Sequence, residues 1–498
     1  MGTRAAGLLL HFTSLPGRHG IGTLGPEAFA FLDWAASAGQ RVWQVLPIGP
    51  PGAGWSPYDA ASAHAGNPLL VSPDLLVGEG LLTPADLDAA PRQVPGGIDL
   101  VAAAQSSARW LETARTRFLG GAAPHLDSPW QAFRADRRFS TWLPDWALFA
   151  ALREHHGGAS WTTWDHELRG RDPRALAVAG RACAGRVEFH AFVQFLFFRQ
   201  LDALATEARR RGVRLMGDLP IYVALDSADV WAHQELFDLD GEGRPQSVAG
   251  VPPDYFSVTG QRWGNPLYRW DELAADGYGW WVERLRTALG VFDLLRIDHF
   301  RGFAGYWAIP ASEPTAVVGR WVPGPGEALF SSLRAALGEL PIVAEDLGVI
   351  TPDVEALRHA CGFPGMKVLQ FAFADVDGPH LPHNLTRDTV VYTGTHDNDT
   401  TRGWFDDAAE DERQRALDYL GCTPDRLPWA LIRAAHASVA DLAVVPVQDV
   451  LGLGSEARMN VPSTTEGNWS WGLAPDALGP DLAERLHRLT GLSGRLAR

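Results

Sequence analysis

Strand-length apolar runs that end in polar or charged residues recur along the chain, with longer helix-like stretches between several of them. They fall at residues 7–12 (GLLLHF), 42–47 (VWQVLP), 214–220 (RLMGDLP), 294–299 (LLRIDH), 341–347 (PIVAEDL), 367–371 (KVLQF), 390–396 (VVYTGTH) and 442–448 (LAVVPVQ). Near-continuous apolar runs of this length are expected of strands covered on both faces. A helix is expected from Pro26, a residue suited to a first turn, to the residue before Gly39. A second is expected over residues 188–211, where Phe189, Phe192, Val193 and Leu196 share one face and Gly212 follows. Eight strands with helices between them predict a (β/α)8 TIM barrel. Such a barrel takes about 250 residues, so much of this 498-residue chain must be insertion. The expected division is a discontinuous barrel over 1–72 and 187–498 and a mainly helical insertion over 73–186. A loop-rich insertion over 225–278 would cover the cleft, and 302–325 would be a further irregular piece.

Barrel enzymes place their chemistry at the C-terminal ends of the strands. Asp218, Asp298 and Glu345 fall late in the third, fourth and fifth expected strands, and Asp397 just past the seventh. Arg296 and Asp298 are two apart on one strand and therefore share a face. An arginine beside a carboxylate keeps it ionised, as a nucleophile requires. Val343 and Leu347 flank Glu345 on its own face and favour its protonated form. An ionised and a protonated carboxyl together are the pair that cleaves a glycosidic bond.

Composition narrows the alternatives. With 43 Lys and Arg against 59 Asp and Glu, the net charge is −16. Nucleic acid and anionic membranes are therefore not expected as partners, although a local basic patch is compatible with this balance. Lys367 is the only lysine, and it is expected early in its strand, away from the catalytic end. That weighs against a Schiff-base enzyme and against a metal-assisted enzyme with a lysine base; no metal and no cofactor is expected. Asp238-Leu239-Asp240-Gly241 lacks the remaining ligands of a calcium loop and reads as a turn. Cys183, Cys361 and Cys422 are odd in number and far apart, which suggests neither a disulfide framework nor a zinc site. No signal peptide is recognisable, and a cytoplasmic protein is expected. The 20 tryptophans are a surplus that supports a sugar-binding reading only weakly.

Three motifs carry a family resemblance: Arg296-Ile297-Asp298-His299-Phe300, Ala344-Glu345-Asp346-Leu347-Gly348 and Thr395-His396-Asp397-Asn398-Asp399. They resemble the catalytic motifs of the α-amylase clan. Further stretches are similar to those of its 4-α-glucanotransferase (amylomaltase, or disproportionating enzyme) family. These include residues 10–16 (LHFTSLP), Ser56-Pro57-Tyr58, residues 217–220 (GDLP), 250–257 (GVPPDYFS), 261–266 (QRWGNP), 319–326 (GRWVPGPG) and 467–471 (GNWSW).

The resemblance implies transfer of α-1,4-glucan segments to the 4-hydroxyl of an acceptor by a retaining double displacement. Asp298 would be the nucleophile, Glu345 the general acid and base, and Asp397 would stabilise the oxocarbenium-like transition state. Arg296, His299 and His396 would orient the reacting sugar and nucleophile, with Asp218 holding the strand-three end of the site. Ser56, Tyr58, Asp254, Gln261, Trp263 and Asn468 would contact substrate, Tyr58 by stacking on a donor ring. His64 departs from the family pattern, which has Phe there. The alternatives are an α-glucan hydrolase of the same clan, a magnesium-dependent barrel enzyme and an inactive glucan-binding scaffold.

Overall fold

The structure is a computed structural model that describes residues 4–52, 54–88, 97–253 and 257–496. Its strands are β1 (Ala5–Leu9), β2 (Val42–Gln44), β3 (Arg214–Pro220), β4 (Ser247–Val251), β5 (Gln261–Pro266) and β6 (Leu294–Asp298). They continue with β7 (Gly305–Pro310), β8 (Arg320–Pro323), β9 (Ile342–Ala344), β10 (Gly365–Val368), β11 (Thr389–Tyr392) and β12 (Leu442–Pro446).

Eight of these pair in parallel in the order β10-β11-β12-β1-β2-β3-β6-β9. The amide of Ala344 donates to the carbonyl of Pro364, just before β10, and brings the two ends of the sheet together into a barrel. Every residue of β1, β2, β9, β11 and β12 is buried, which is why these strands read as unbroken apolar runs. All eight expected strands are present; β3 has the expected bounds and the others are trimmed or shifted by a few residues. The helix Pro26–Ser37 stops before Gly39, whose φ of +75° suits a residue without a side chain. A Cβ at Gly39 would also stand 2.6 Å from the side chain of Leu496.

Between β2 and β3 the chain runs through Leu100–Leu119, Asp127–Ala135, Leu143–His155 and Pro173–Ala182 before the long helix Ala184–Arg210. Trp130, Phe133, Phe139 and Trp142 pack against Phe192, Phe195 and Phe198 of that long helix. Much of the tryptophan surplus is therefore core. No described helix is long and apolar enough to cross a membrane.

The stretches expected to be loop-rich and irregular contain a second sheet. Its antiparallel strands run in the order β5-β4-β7-β8, so residues from either side of β6 pair with each other. The strands are short and interrupted by Gly250, Pro252, Pro253 and Gly264, which hides their period. Lys367 also differs from expectation. It is the third of four residues in β10, and its ammonium lies 3.9 Å from Asp346.

Candidate active site

Strand register assembles the centre of the cleft. Asp218 on β3 and Arg296 on β6 are direct register partners, so their side chains emerge side by side on one face. Arg296 Nη1 donates to both carboxylate oxygens of Asp218 at 2.7 Å. Its Nη2 lies 2.9 Å from Asp298, two residues on and therefore on the same face. The phenol of Tyr58 donates to Asp218 at 2.8 Å. Burial opposes the charge of Arg296, but Asp218 and Asp298 hold it firmly protonated. The guanidinium thus already pairs with Asp298, one of the three carboxylates, with Glu345 and Asp397, that the magnesium reading would use as ligands.

Ile297 pairs with Ala344 across β6 and β9, which brings the next residues of each chain, Asp298 and Glu345, to adjacent strand ends. Glu345 accepts the backbone amides of His299 at 2.7 Å and Leu347 at 2.9 Å. His299 adopts a left-handed conformation (φ 54°), uncommon for a residue with a side chain; strain of this kind gathers at functional sites. Burial and the charge of Asp298 push Glu345 up to about 7, against the pull of Arg296 and the two amides. Burial also raises Asp298, with Asp218 and Asp397 adding to it, although Arg296 opposes them. Arg296 thus acts on Asp298 in the expected sense, but it offsets the upward push of burial only in part. The proton of the pair still belongs to Glu345, because Asp298 carries the direct guanidinium contact and 29% of its side chain remains exposed.

Across the cleft, the ring of His396 stacks on Tyr58, with centroids 5.0 Å apart and planes 14° from parallel. Its Nε2 lies 3.3 Å from Asp397. Burial disfavours charge on both, yet each stabilises the other: His396 is raised and Asp397 is held well below the usual carboxylate range. Asn460 donates to Asp397 Oδ1 at 2.6 Å, and Arg458 donates to its backbone carbonyl at 2.8 Å. Neither residue stood out in the sequence, because they sit in an irregular loop with no period to reveal them. Tyr222 was missed for the same reason; its ring lies beside those of Trp263 and His299.

Trp263, on β5, meets His299 edge to face at 4.7 Å, so the second sheet is in contact with the cleft. Its indole N–H donates to the side-chain oxygen of Gln261 at 3.1 Å. Burial, with Arg301 adding to it, lowers His299 to about 3, so its ring is neutral. Ser56 accepts the amide of Tyr58 at 3.3 Å and shapes the turn that presents that ring. The carboxamide of Asn468 bonds Val461 and Thr464 within its own loop, beside Trp469, which lies 5.9 Å from Tyr58. Asp254 lies outside the described residues. His64 is buried and lowered to about 4 by burial; it stacks on Trp142 rather than lining the carboxylate cluster.

The arrangement pairs an arginine-bound carboxylate with a proton-carrying one at the mouth of the barrel, which suits glycosyl transfer through a covalent intermediate. Comparison with known proteins agrees. A family model described as 4-alpha-glucanotransferase, of glycoside hydrolase family 77, matches residues 10–476. A 4-alpha-glucanotransferase from Thermus thermophilus is 53% identical over 504 residues, spanning 99% of both chains. Another, from a Synechocystis species, is 50% identical and spans 99% of this chain and 98% of its own. An amylomaltase from Streptococcus agalactiae, solved in complex with acarbose, superposes with a TM-score of 0.94 at 37% identity. That superposition covers 99% of this chain and 100% of the other.

Proposed function

The chain belongs to the 4-alpha-glucanotransferase family, and from that premise we propose that Asp298, Glu345 and Asp397 carry its reaction. The activity is transfer of α-1,4-glucan segments from a donor chain to the 4-hydroxyl of an acceptor glucan or glucose. Asp298 attacks C1 of the bound donor glucosyl unit as the bond from C1 to the leaving oxygen breaks. Glu345 gives that oxygen its proton. The departing glucan leaves a segment joined to Asp298 with inverted configuration. An acceptor 4-hydroxyl then surrenders its proton to the Glu345 carboxylate and attacks C1, which releases Asp298 and restores the α configuration.

The observation that carries this assignment is the division of charge between neighbours. Asp298 is paired with Arg296, while Glu345 has no salt bridge among the described residues and is raised to about 7. Asp397, kept ionised with help from His396 and Asn460, faces the positive charge that builds on the sugar ring. Tyr58, Gln261, Trp263, Arg296, His299 and His396 hold the sugars in place. Ser56 and Asn468 act through the loops that they shape. Asp254 keeps its assignment to substrate binding from the sequence motif alone.

The reading includes a barrel built from 1–72 and 187–498, a helical subdomain over 73–186 and a cytoplasmic location, the last supported by three unpaired cysteines. A monomer is compatible with this reading. Rapid denaturation during turnover of an activated maltosyl fluoride, followed by peptide mass analysis, tests the nucleophile. A sugar adduct on Asp298 is expected, and its appearance on any other residue overturns the assignment.

A further inference from the structure

Of the chain's 20 tryptophans, Trp263 and Trp321 are the two exposed to solvent, at 39% and 44%. The cleft accounts for Trp263. Trp321 stands on β8, the outermost strand of the second sheet, in the stretch 319–326 that none of the chemistry above uses.

Register places it on the face opposite Trp263. Arg262, Gly250, Trp307 and Trp321 pair in one row across β5, β4, β7 and β8, and row neighbours share a face. Trp263, next to Arg262, points the other way. Trp307 meets Trp321 edge-on at 5.3 Å, and Val248, Ile309 and Ala316 form a small core that backs Trp307. The guanidinium of Arg301 lies over the Trp321 ring at 4.0 Å from its centroid, and donates to the carbonyl of Val349. The ring is therefore held on one face and along one edge. Val317 and Val318, beside it in the chain, are exposed as well.

We propose that this outer face, centred on Trp321, is a docking site for an α-1,4-glucan strand outside the catalytic cleft. The inference rests on the glucan-transferring activity, since a polymer bound at the cleft must leave it across the surrounding surface. Arg301 links this face to the cleft, because its guanidinium lies over Trp321 and also acts on the charge of His299 and Tyr222 beside Trp263. Arg301 follows His299 by two residues, Val349 follows Glu345 by four, and β5 of the same sheet carries Gln261 and Trp263. A rigid indole suits the C–H face of a glucose ring, and the nearby arginine suits its hydroxyls without demanding a charged ligand.

The test uses Asp298→Asn to stop turnover and measures retardation in native gels containing glycogen. Adding Trp321→Ala raises the apparent Kd for glycogen by about 3- to 10-fold, the worth of one aromatic stack. Trp321→Phe retains most of the binding. In the active enzyme, Trp321→Ala leaves maltotriose disproportionation unchanged, which separates this site from the cleft and from the activity itself. Val318→Asp, a change at an exposed position, weakens glycogen retardation in the same direction and covers the case in which Trp321→Ala fails to fold. Undiminished retardation in both Trp321→Ala and Val318→Asp overturns the proposal. So does equal loss on maltotriose and glycogen, or a dimer in sedimentation that Trp321→Ala dissociates.

Discussion

At the scale of single residues, Glu345 sets both the pH dependence of the reaction and part of its effect on stability. With its carboxyl raised to about 7, kcat/KM falls on an alkaline limb near that pH as the acid loses its proton. It falls again toward low pH as Asp298 protonates, at a pH above that of an ordinary aspartate because burial and its acidic neighbours raise it. The stability effect has a definite sign. The folded protein holds the Glu345 proton more tightly than the unfolded chain does, so its contribution to stability is lost as pH rises from about 4.5 to about 7. Glu345→Gln removes a buried charge above that range. It is expected to stabilise the fold at pH 8 by about 1–3 kcal/mol while abolishing most turnover. Urea unfolding of both proteins at pH 5 and pH 8 checks this, and a gain equal at both pH values would contradict the cause given.

At the scale of elements, the barrel strands were legible because burial on both faces writes them as apolar runs. The acids at their ends were legible because a charge that closes such a run stands out. The second sheet was not legible, since Gly250 and Gly264 break its rhythm and β4 pairs with β7 from beyond β6. Asn460 and Arg458 were hidden for another reason: a loop residue that acts by bonding a catalytic group leaves no periodic trace. Asn460→Ala removes a hydrogen bond to an ionised carboxylate, worth about 1.5–3 kcal/mol. Turnover is expected to drop about 10- to 100-fold, with little change in Tm, because the bond serves Asp397 rather than the core. An unchanged kcat would remove Asn460 from the site. The contact between β3 and β6 responds in the opposite way. Arg296→Met strands the fully buried carboxylate of Asp218 and is expected to cost about 3–5 kcal/mol in urea unfolding, besides activity.

At the scale of the whole molecule, the acidic balance fits a neutral polysaccharide, which neither needs nor resists a net charge of −16. The tryptophans divide between a large aromatic core, one ring at the cleft and one on the outer face of the second sheet. With Arg296 bridging Asp218 and Asp298, and His396 beside Asp397, these carboxylates have side-chain partners in place of a metal, so activity in EDTA is expected to equal that in buffer.

Transfer and hydrolysis share the first half-reaction and part only at the covalent intermediate, where an acceptor hydroxyl competes with water. The most direct measurement is therefore the product profile from maltotriose alone, read together with the concentration of reducing ends. Transfer predicts glucose plus a ladder of longer maltooligosaccharides with reducing ends constant. Conversion to glucose and maltose with reducing ends rising would contradict it.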